Sequence, residues 1–150
     1  MKPQRDFYQV SLKVLLKNHE GKFLFLKARL QDTYGGFYDL PGGRIDVEEF
    51  TVPLSIIIQR ELEEEISGVQ YSINPQPVAI GRHNIDAKHT SSGKEIHVFY
   101  VFFEAQYIAG EIQISDEHEG YAWVDLTTED PAKYLKSGNL EGVQMYLSQQ

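Results

Sequence analysis

Residues 51–66 read TVPLSIIIQRELEEEI, and the fold turns on whether this stretch is helix or strand. The β-branched run Ile56-Ile57-Ile58 is locally strand-like. Leu54, Ile58, Leu62 and Ile66 recur at every fourth position, which sets one apolar stripe along a helix. The longer pattern decides for helix. Pro53 is tolerated in the first turn, and Gly68 is expected to end the element. The second half carries Glu61, Glu63, Glu64 and Glu65. Like charges at i,i+4 cost a few tenths of a kcal/mol each, so the cluster needs a reason. At about 100° per residue, Glu61, Glu64 and Glu65 fall within an arc of roughly 100° that borders the apolar row, while Glu63 points elsewhere. Three carboxylates at the edge of a buried face form a hard-oxygen set suited to Mg²⁺ or Mn²⁺. The competing reading is a solvated acidic face, which composition alone favours.

Around this helix the chain alternates strands and turns. YQVSLKVLLKN and KFLFLKARL, joined by HEG, read as a hairpin. QDTYGGFYDLPGGRID is a glycine-rich loop before the helix. VQYSI, QPVAIGRHNIDA and EIHVFYVFFEAQYI are strand candidates after it, and the near-continuous apolar run HVFYVFFEA predicts a strand covered on both faces. GYAWVDL is a last strand, TEDPAKYLKSG a short helical turn, and NLEGVQMYLSQQ a C-terminal helix. The order predicts an α/β or α+β sandwich, with helices on both faces of a mixed sheet, in one domain spanning residues 1–150.

The bulk properties narrow the function. The net charge of −8 disfavours nonspecific binding to nucleic acid or anionic membranes, which needs basic patches. A phosphorylated substrate would need divalent cations or local arginines to approach this chain. The absence of cysteine excludes disulfides and thiolate sites and fits a cytoplasmic location. The N-terminal MKPQRDFYQV lacks the apolar run of a signal peptide, and no stretch is long and apolar enough to span a bilayer.

PGGRID, followed by a glutamate and then RELEEEISG, resembles the signature of the Nudix (MutT-like) hydrolases. Gly43 matches the opening glycine and Glu49 the glutamate that follows after five intervening residues, and Arg60, Glu61, Leu62, Glu64 and Glu65 match the helical core. GGFYDLPGG and ISDEHEGYAWVDL are similar to the flanking segments of that family, with Tyr38 where tryptophan is common. There are two departures. Ten residues instead of seven separate Glu49 from Arg60, so Glu48 is an alternative to Glu49, and the glycine after the carboxylates falls one place late.

The resemblance implies hydrolysis of a phosphoanhydride in a nucleoside diphosphate-linked compound, with divalent metal spreading the developing charge. It implies Glu61, Glu64, Glu65 and the Gly42 carbonyl as metal ligands, Arg60 as the residue that orients them, and Glu117, with Glu119 second, as base or extra ligand. Arg29 is a candidate for a substrate phosphate. Tyr38, with Tyr34 and Phe37, is a candidate for stacking on a base, and Gly43 lies in the substrate loop. His118 reads as a surface residue beside three acids and Trp123 as core. His83, His89 and His97 lack the spacing of a zinc site. Local similarity of ISDEHEGYAW points to nucleoside triphosphates or dinucleoside polyphosphates, with ADP-ribose, nucleotide sugars and oxidised nucleotides open. A nucleotide sensor that keeps the fold is the alternative, and a homodimer is compatible with the family.

Overall fold

The computed structural model describes residues 1–150. Strands β1 (Tyr8–Lys17) and β2 (Phe23–Ala28) form the expected hairpin, but they pair only at its closed end, Lys17 against Phe23. Beyond that point they part. β1 runs parallel to β7 (Ile96–Ala109) along its whole length, and β2 pairs with β9 (His118–Val124) and with the short β3 (Tyr38–Asp39). β4 (Gly42–Arg44) fills the fork by pairing antiparallel with Ser11–Lys13 of β1. The glycine loop is thereby fixed to the centre of the sheet.

β6 (Gln70–Ile85) pairs antiparallel with β7 and forms an edge of the mixed sheet. VQYSI and QPVAIGRHNIDA, read as two strands, are one. The 14-residue β7 templates both halves, and the Asn74-Pro75-Gln76-Pro77 interruption is absorbed as register shifts around Pro77. Proline is tolerated there because β6 is an edge strand.

One helix covers each face. α1 (Leu54–Glu65) packs on Leu12, Val14, Leu16, Leu24, Leu26 and Phe103, and α2 (Ser137–Ser148) on Leu15, Phe25, Tyr100 and Phe102. β7 contributes Tyr100 and Phe102 to one core and Phe103 and Ala105 to the other, as expected of a strand covered on both sides. The alternation of β1 sends Leu12, Val14 and Leu16 to α1, and places Ser11, Lys13 and Leu15 on the α2 side. A lysine is therefore buried between sheet and helix.

α1 ends at Glu65, before the glycine expected to stop it. Ile66 and Ser67 instead form β5 (Ile66–Ser67) and pair with β8 (Gln113–Ile114), and Gly68 makes the following turn with φ +82°. α1 also begins at Leu54, just after Pro53. No helix is long and apolar enough to cross a membrane.

Candidate active site

The carboxylates of α1 separate by depth. Glu61 and Glu65, one turn apart, are buried on the face toward the glycine loop, while Glu64 is exposed. Glu65 accepts a hydrogen bond from the Gly42 amide at 3.0 Å. Burial pushes the Glu65 carboxyl up to about 8, against the opposing pull of Lys13. Glu61 is likewise raised by burial, with Arg60 opposing. The contact seen at Gly42 is through its N–H, not the carbonyl expected as a ligand.

The two glycines have different reasons to be glycine. Gly42 has φ +130°, and a Cβ there would lie 1.9 Å from the Leu12 carbonyl oxygen, so only glycine lets β4 lie on β1. At Gly43 a Cβ would lie 2.1 Å from Oε2 of Glu61. Gly43 makes room for the Glu61 carboxylate.

Arg60 stands between the loop and the helix. Its Nε donates to Oε2 of Glu49 at 2.7 Å and its Nη2 to Oε1, while Nη1 donates to Glu61 at 2.9 Å and reaches Glu64 at 3.5 Å. Glu49 reaches the arginine in spite of the three extra residues, which loop out around the exposed Phe50. Glu48 makes no such bond and is exposed.

Glu65 opens onto a cleft of about 850 Å³, walled by the loop after β2, the β6–β7 hairpin and the segment before β9. Glu117 and His118 enter from that segment, and ligand atoms of Glu65, Glu117 and His118 lie within 4.8 Å of one another. Nδ1 of His118 is buried without a hydrogen-bond partner. His118 is thus part of the cleft and not the surface residue expected. It starts β9, whose pairing with Ala28 turns it inward. Glu119, next along the strand, is exposed and does not line the cleft, and neither do Glu61 and Glu64. Arg29, Arg44 and Lys88 line the wall.

The aromatic expectations fare differently. Tyr34 borders the cleft, but its ring is 3% exposed and stacks on His83 at 4.5 Å, with its hydroxyl 3.0 Å from that of Tyr100. Tyr38 lies edge-on to Tyr134, off the cleft, because its backbone is held in β3. Phe37 lies beneath the Lys136 ammonium. Tyr34 has no free face, and Phe37 and Tyr38 do not line the cleft. Trp123 is half-buried against Tyr107. His83 bonds Thr33 and Ser137, His97 bonds Asp6, and His89 sits in a short 3₁₀ turn, not a strand.

Asp39, which lines the cleft, centres a largely buried ionic cluster. Oδ1 of Asp39 accepts from Lys13 at 3.0 Å, from the Leu40 amide at 2.7 Å and from Asn139 of α2 at 2.8 Å. Burial works to raise the Asp39 carboxyl, but the Lys13 ammonium and the hydrogen bonds of His118, Lys13 and Asn139 together outweigh it and hold the group well below the usual carboxylate range. The sequence signal for this cluster is Lys13 itself, a charge at a core position of the apolar strand VSLKVLL.

Fold and site define a class: a mixed-sheet sandwich whose carboxylate helix is braced under a glycine loop at the mouth of a polar cleft. The family profile of the NUDIX domain matches residues 7–143, and the chain belongs to the Nudix family, hydrolases of phosphorus-containing anhydrides. Among solved structures it is similar to the MutT protein of Methanosarcina mazei Go1 (26% identity, 83% of this chain and 82% of that one, TM-score 0.57). Similar folds include a MutT Nudix hydrolase of Burkholderia pseudomallei (22%, 96% and 98%, 0.64). Another is an ADP-ribose pyrophosphatase of Streptococcus suis 89-1591 (19%, 95% and 92%, 0.63). A search of curated proteins found no match.

Proposed function

We propose that this protein is a Mg²⁺-dependent pyrophosphohydrolase that cleaves a phosphoanhydride bond in a nucleoside diphosphate-linked compound, a nucleoside triphosphate or dinucleoside polyphosphate, in the cytoplasm. The convergence of Glu65, Glu117 and His118 in the cleft carries this reading. The two carboxylates are hard-oxygen donors of the kind that suit Mg²⁺ or Mn²⁺. Glu65 would hold the metal together with the other α1 carboxylates Glu61 and Glu64, with Glu117 and His118 beside it. A bound divalent ion would supply charge neutralisation of the phosphates and acidify water.

The chain's own groups do the rest. Arg60 fixes Glu61 and ties the helix to Glu49, so the carboxylates keep their spacing as charge builds. The Gly42 amide orients Glu65. Glu117, exposed and on a loop, can accept a proton from attacking water. Arg29 and Arg44 present positive charge to the polyphosphate in an otherwise acidic cleft.

The test is product release across nucleoside triphosphates, dinucleoside polyphosphates, ADP-ribose and nucleotide sugars, with Mg²⁺ or Mn²⁺ and with chelator. Chelator-sensitive cleavage of a nucleoside triphosphate or dinucleoside polyphosphate supports the reading. Cleavage of ADP-ribose or a nucleotide sugar alone keeps the hydrolase and overturns the substrate. No cleavage of any compound, with nucleotide binding retained, favours a sensor.

A further inference from the structure

The walls of the cleft are unlike a nucleobase pocket. Their apolar residues are only Ala28, Tyr34 and Ile85. The Tyr34 ring is covered by His83 and its hydroxyl is bonded to Tyr100, so it offers no free face. Base recognition without hydrogen-bond readout relies on such faces. His89 is the remaining free ring on the outer wall, and it forms no pair with another ring.

What the outer walls do offer is unpaired positive charge. Arg29 follows β2 on one wall, and Lys88 lies in the 3₁₀ turn of the β6–β7 hairpin on another. Neither forms a salt bridge, although the chain carries 22 acidic residues against 14 lysines and arginines. Asp32 and Asp116 line the same cleft yet neither pairs with these two cations, which leaves both side chains available to an anion from outside. The Lys88 turn is held in shape: the Thr90 hydroxyl lies within hydrogen-bond distance of the Ala87 and Lys94 carbonyls, closing the hairpin. His83 bonds Thr33, next to the Arg29 loop, so the two walls are also tied together.

We infer that the outer cleft reads a phosphate chain and not the base, with Arg29 and Lys88 as the specificity-determining residues, so that the substrate class is nucleotides carrying phosphates beyond the anhydride that is cleaved. This rests on the hydrolase reading for its place in a reaction, but the binding preference can be measured without turnover. Extra phosphates would extend from the carboxylate end of the cleft toward Arg29 and Lys88. Base identity would matter little.

The experiment is calorimetric titration of the full chain with Ca²⁺ in place of Mg²⁺, using two ligand series. ATP, GTP, CTP and UTP vary the base at constant chain length. AMP, ADP, ATP and adenosine 5′-tetraphosphate vary the chain at constant base. The expected spread across bases is under about threefold, whereas the gain from ADP to tetraphosphate is above about tenfold, as charge-assisted contacts predict. Lys88→Met and Arg29→Met should each flatten the chain series while leaving the melting temperature unchanged. His89→Ala should leave the base series as it is. A tenfold or larger dependence on the base, or one that collapses in His89→Ala, overturns the inference in favour of stacking. A chain series untouched by both methionine variants, or no binding of any ligand, also overturns it. Turnover in Mg²⁺ separates the two readings. Cleavage with strong base dependence keeps the hydrolase and sinks this inference, and chain-length binding without cleavage does the reverse.

Discussion

Arg60 grips both carboxylate oxygens of Glu49 from eleven residues away, across a loop three residues longer than the family pattern. The same guanidinium reaches Glu61, so one planar fork joins the loop before α1 to a buried carboxylate on it. Lysine has a single point charge and cannot span these partners. Arg60→Lys should lower kcat by about 10–100-fold, the usual effect of losing a group that orients ligands. Glu49→Gln should fall in the same range, and the double variant should be little worse than either. A double variant equal to the product of the two single losses would show that the residues act independently.

The depth of the α1 glutamates predicts unequal substitutions. Glu65→Gln removes the one helix carboxylate that opens on the cleft and should abolish metal-dependent turnover, by more than about 100-fold. Glu64→Gln should reduce turnover less, since the exposed Glu64 reaches only Arg60. Glu117→Gln should lower kcat by about 100-fold with unchanged melting temperature, as expected for an exposed acid–base group. Near wild-type kcat in Glu117→Gln would move the base to His118. Steady-state kinetics of the three variants at one Mg²⁺ concentration decide the order.

Glu65 also makes stability depend on pH in the metal-free protein. Its carboxyl is pushed up to about 8 in the folded chain by burial, from an ordinary value of 4.5. Between these values the folded state binds a proton that the unfolded state has released, so stability falls as pH rises through that window. His83 acts the other way. Burial lowers it to about 4, so its contribution to stability is lost as pH falls from about 6.5 toward 4. In chelator, the melting temperature should fall between pH 6.5 and 8, and Glu65→Gln should flatten that fall. Mg²⁺ should raise the melting temperature more at pH 8 than at pH 6. Equal slopes in wild type and Glu65→Gln would remove Glu65 as the cause.

The fold was legible wherever a periodicity had one meaning. The i,i+4 row from Leu54 to Ile66 outweighed Ile56-Ile57-Ile58, and the apolar run in β7 correctly implied two covered faces. The break at Pro75 and Pro77 read as a boundary because a proline within a strand has two meanings, and only the long partner strand chooses between them. Of the α1 glutamates singled out in the sequence, Glu65 lines the cleft while Glu61 and Glu64 do not, because depth along the helix is not written in the charge pattern. The site was not legible where distant segments meet. Asp39 and Asn139 are 100 residues apart, and His118 turns inward through its pairing with β2. Tyr38 sat beside the right loop but was drawn off the cleft by a two-residue strand.

Gly42 and Gly43 should separate fold from function. Alanine at Gly42 meets the Leu12 backbone and needs a left-handed-side φ, so it should destabilise by about 1–3 kcal/mol or more and lower the yield of folded protein. Alanine at Gly43 meets only the end of the Glu61 side chain, which can rotate away. Gly43→Ala should therefore melt near wild type but lose activity, because Glu61 is pushed off Arg60. A Gly43→Ala protein with full activity would show that the Glu61 position is not needed.

The Lys13–Asp39 pair supplies the sharpest test of the buried cluster. Asp39 lines the cleft and Lys13 is buried against it, with side-chain exposures of 21% and 6%. Removing one charge leaves the other buried and uncompensated, a loss of about 3–5 kcal/mol for a buried pair. Lys13→Met should cost this much, since the neutral donors left to Asp39, Asn139 and the Leu40 amide among them, do not replace the lost positive charge. Asp39→Asn alone strands the lysine and should cost a similar amount. In the double variant Lys13→Met with Asp39→Asn no buried charge is stranded, so stability should recover most of the loss. Urea melts of the four proteins give the coupling directly. If the double variant loses the sum of the single losses, the two residues do not act as a pair, and the ionised state of Asp39 has another source. Recovery of stability without recovery of kcat would show that Lys13 also serves Glu65, whose carboxyl it pulls toward ionisation against burial.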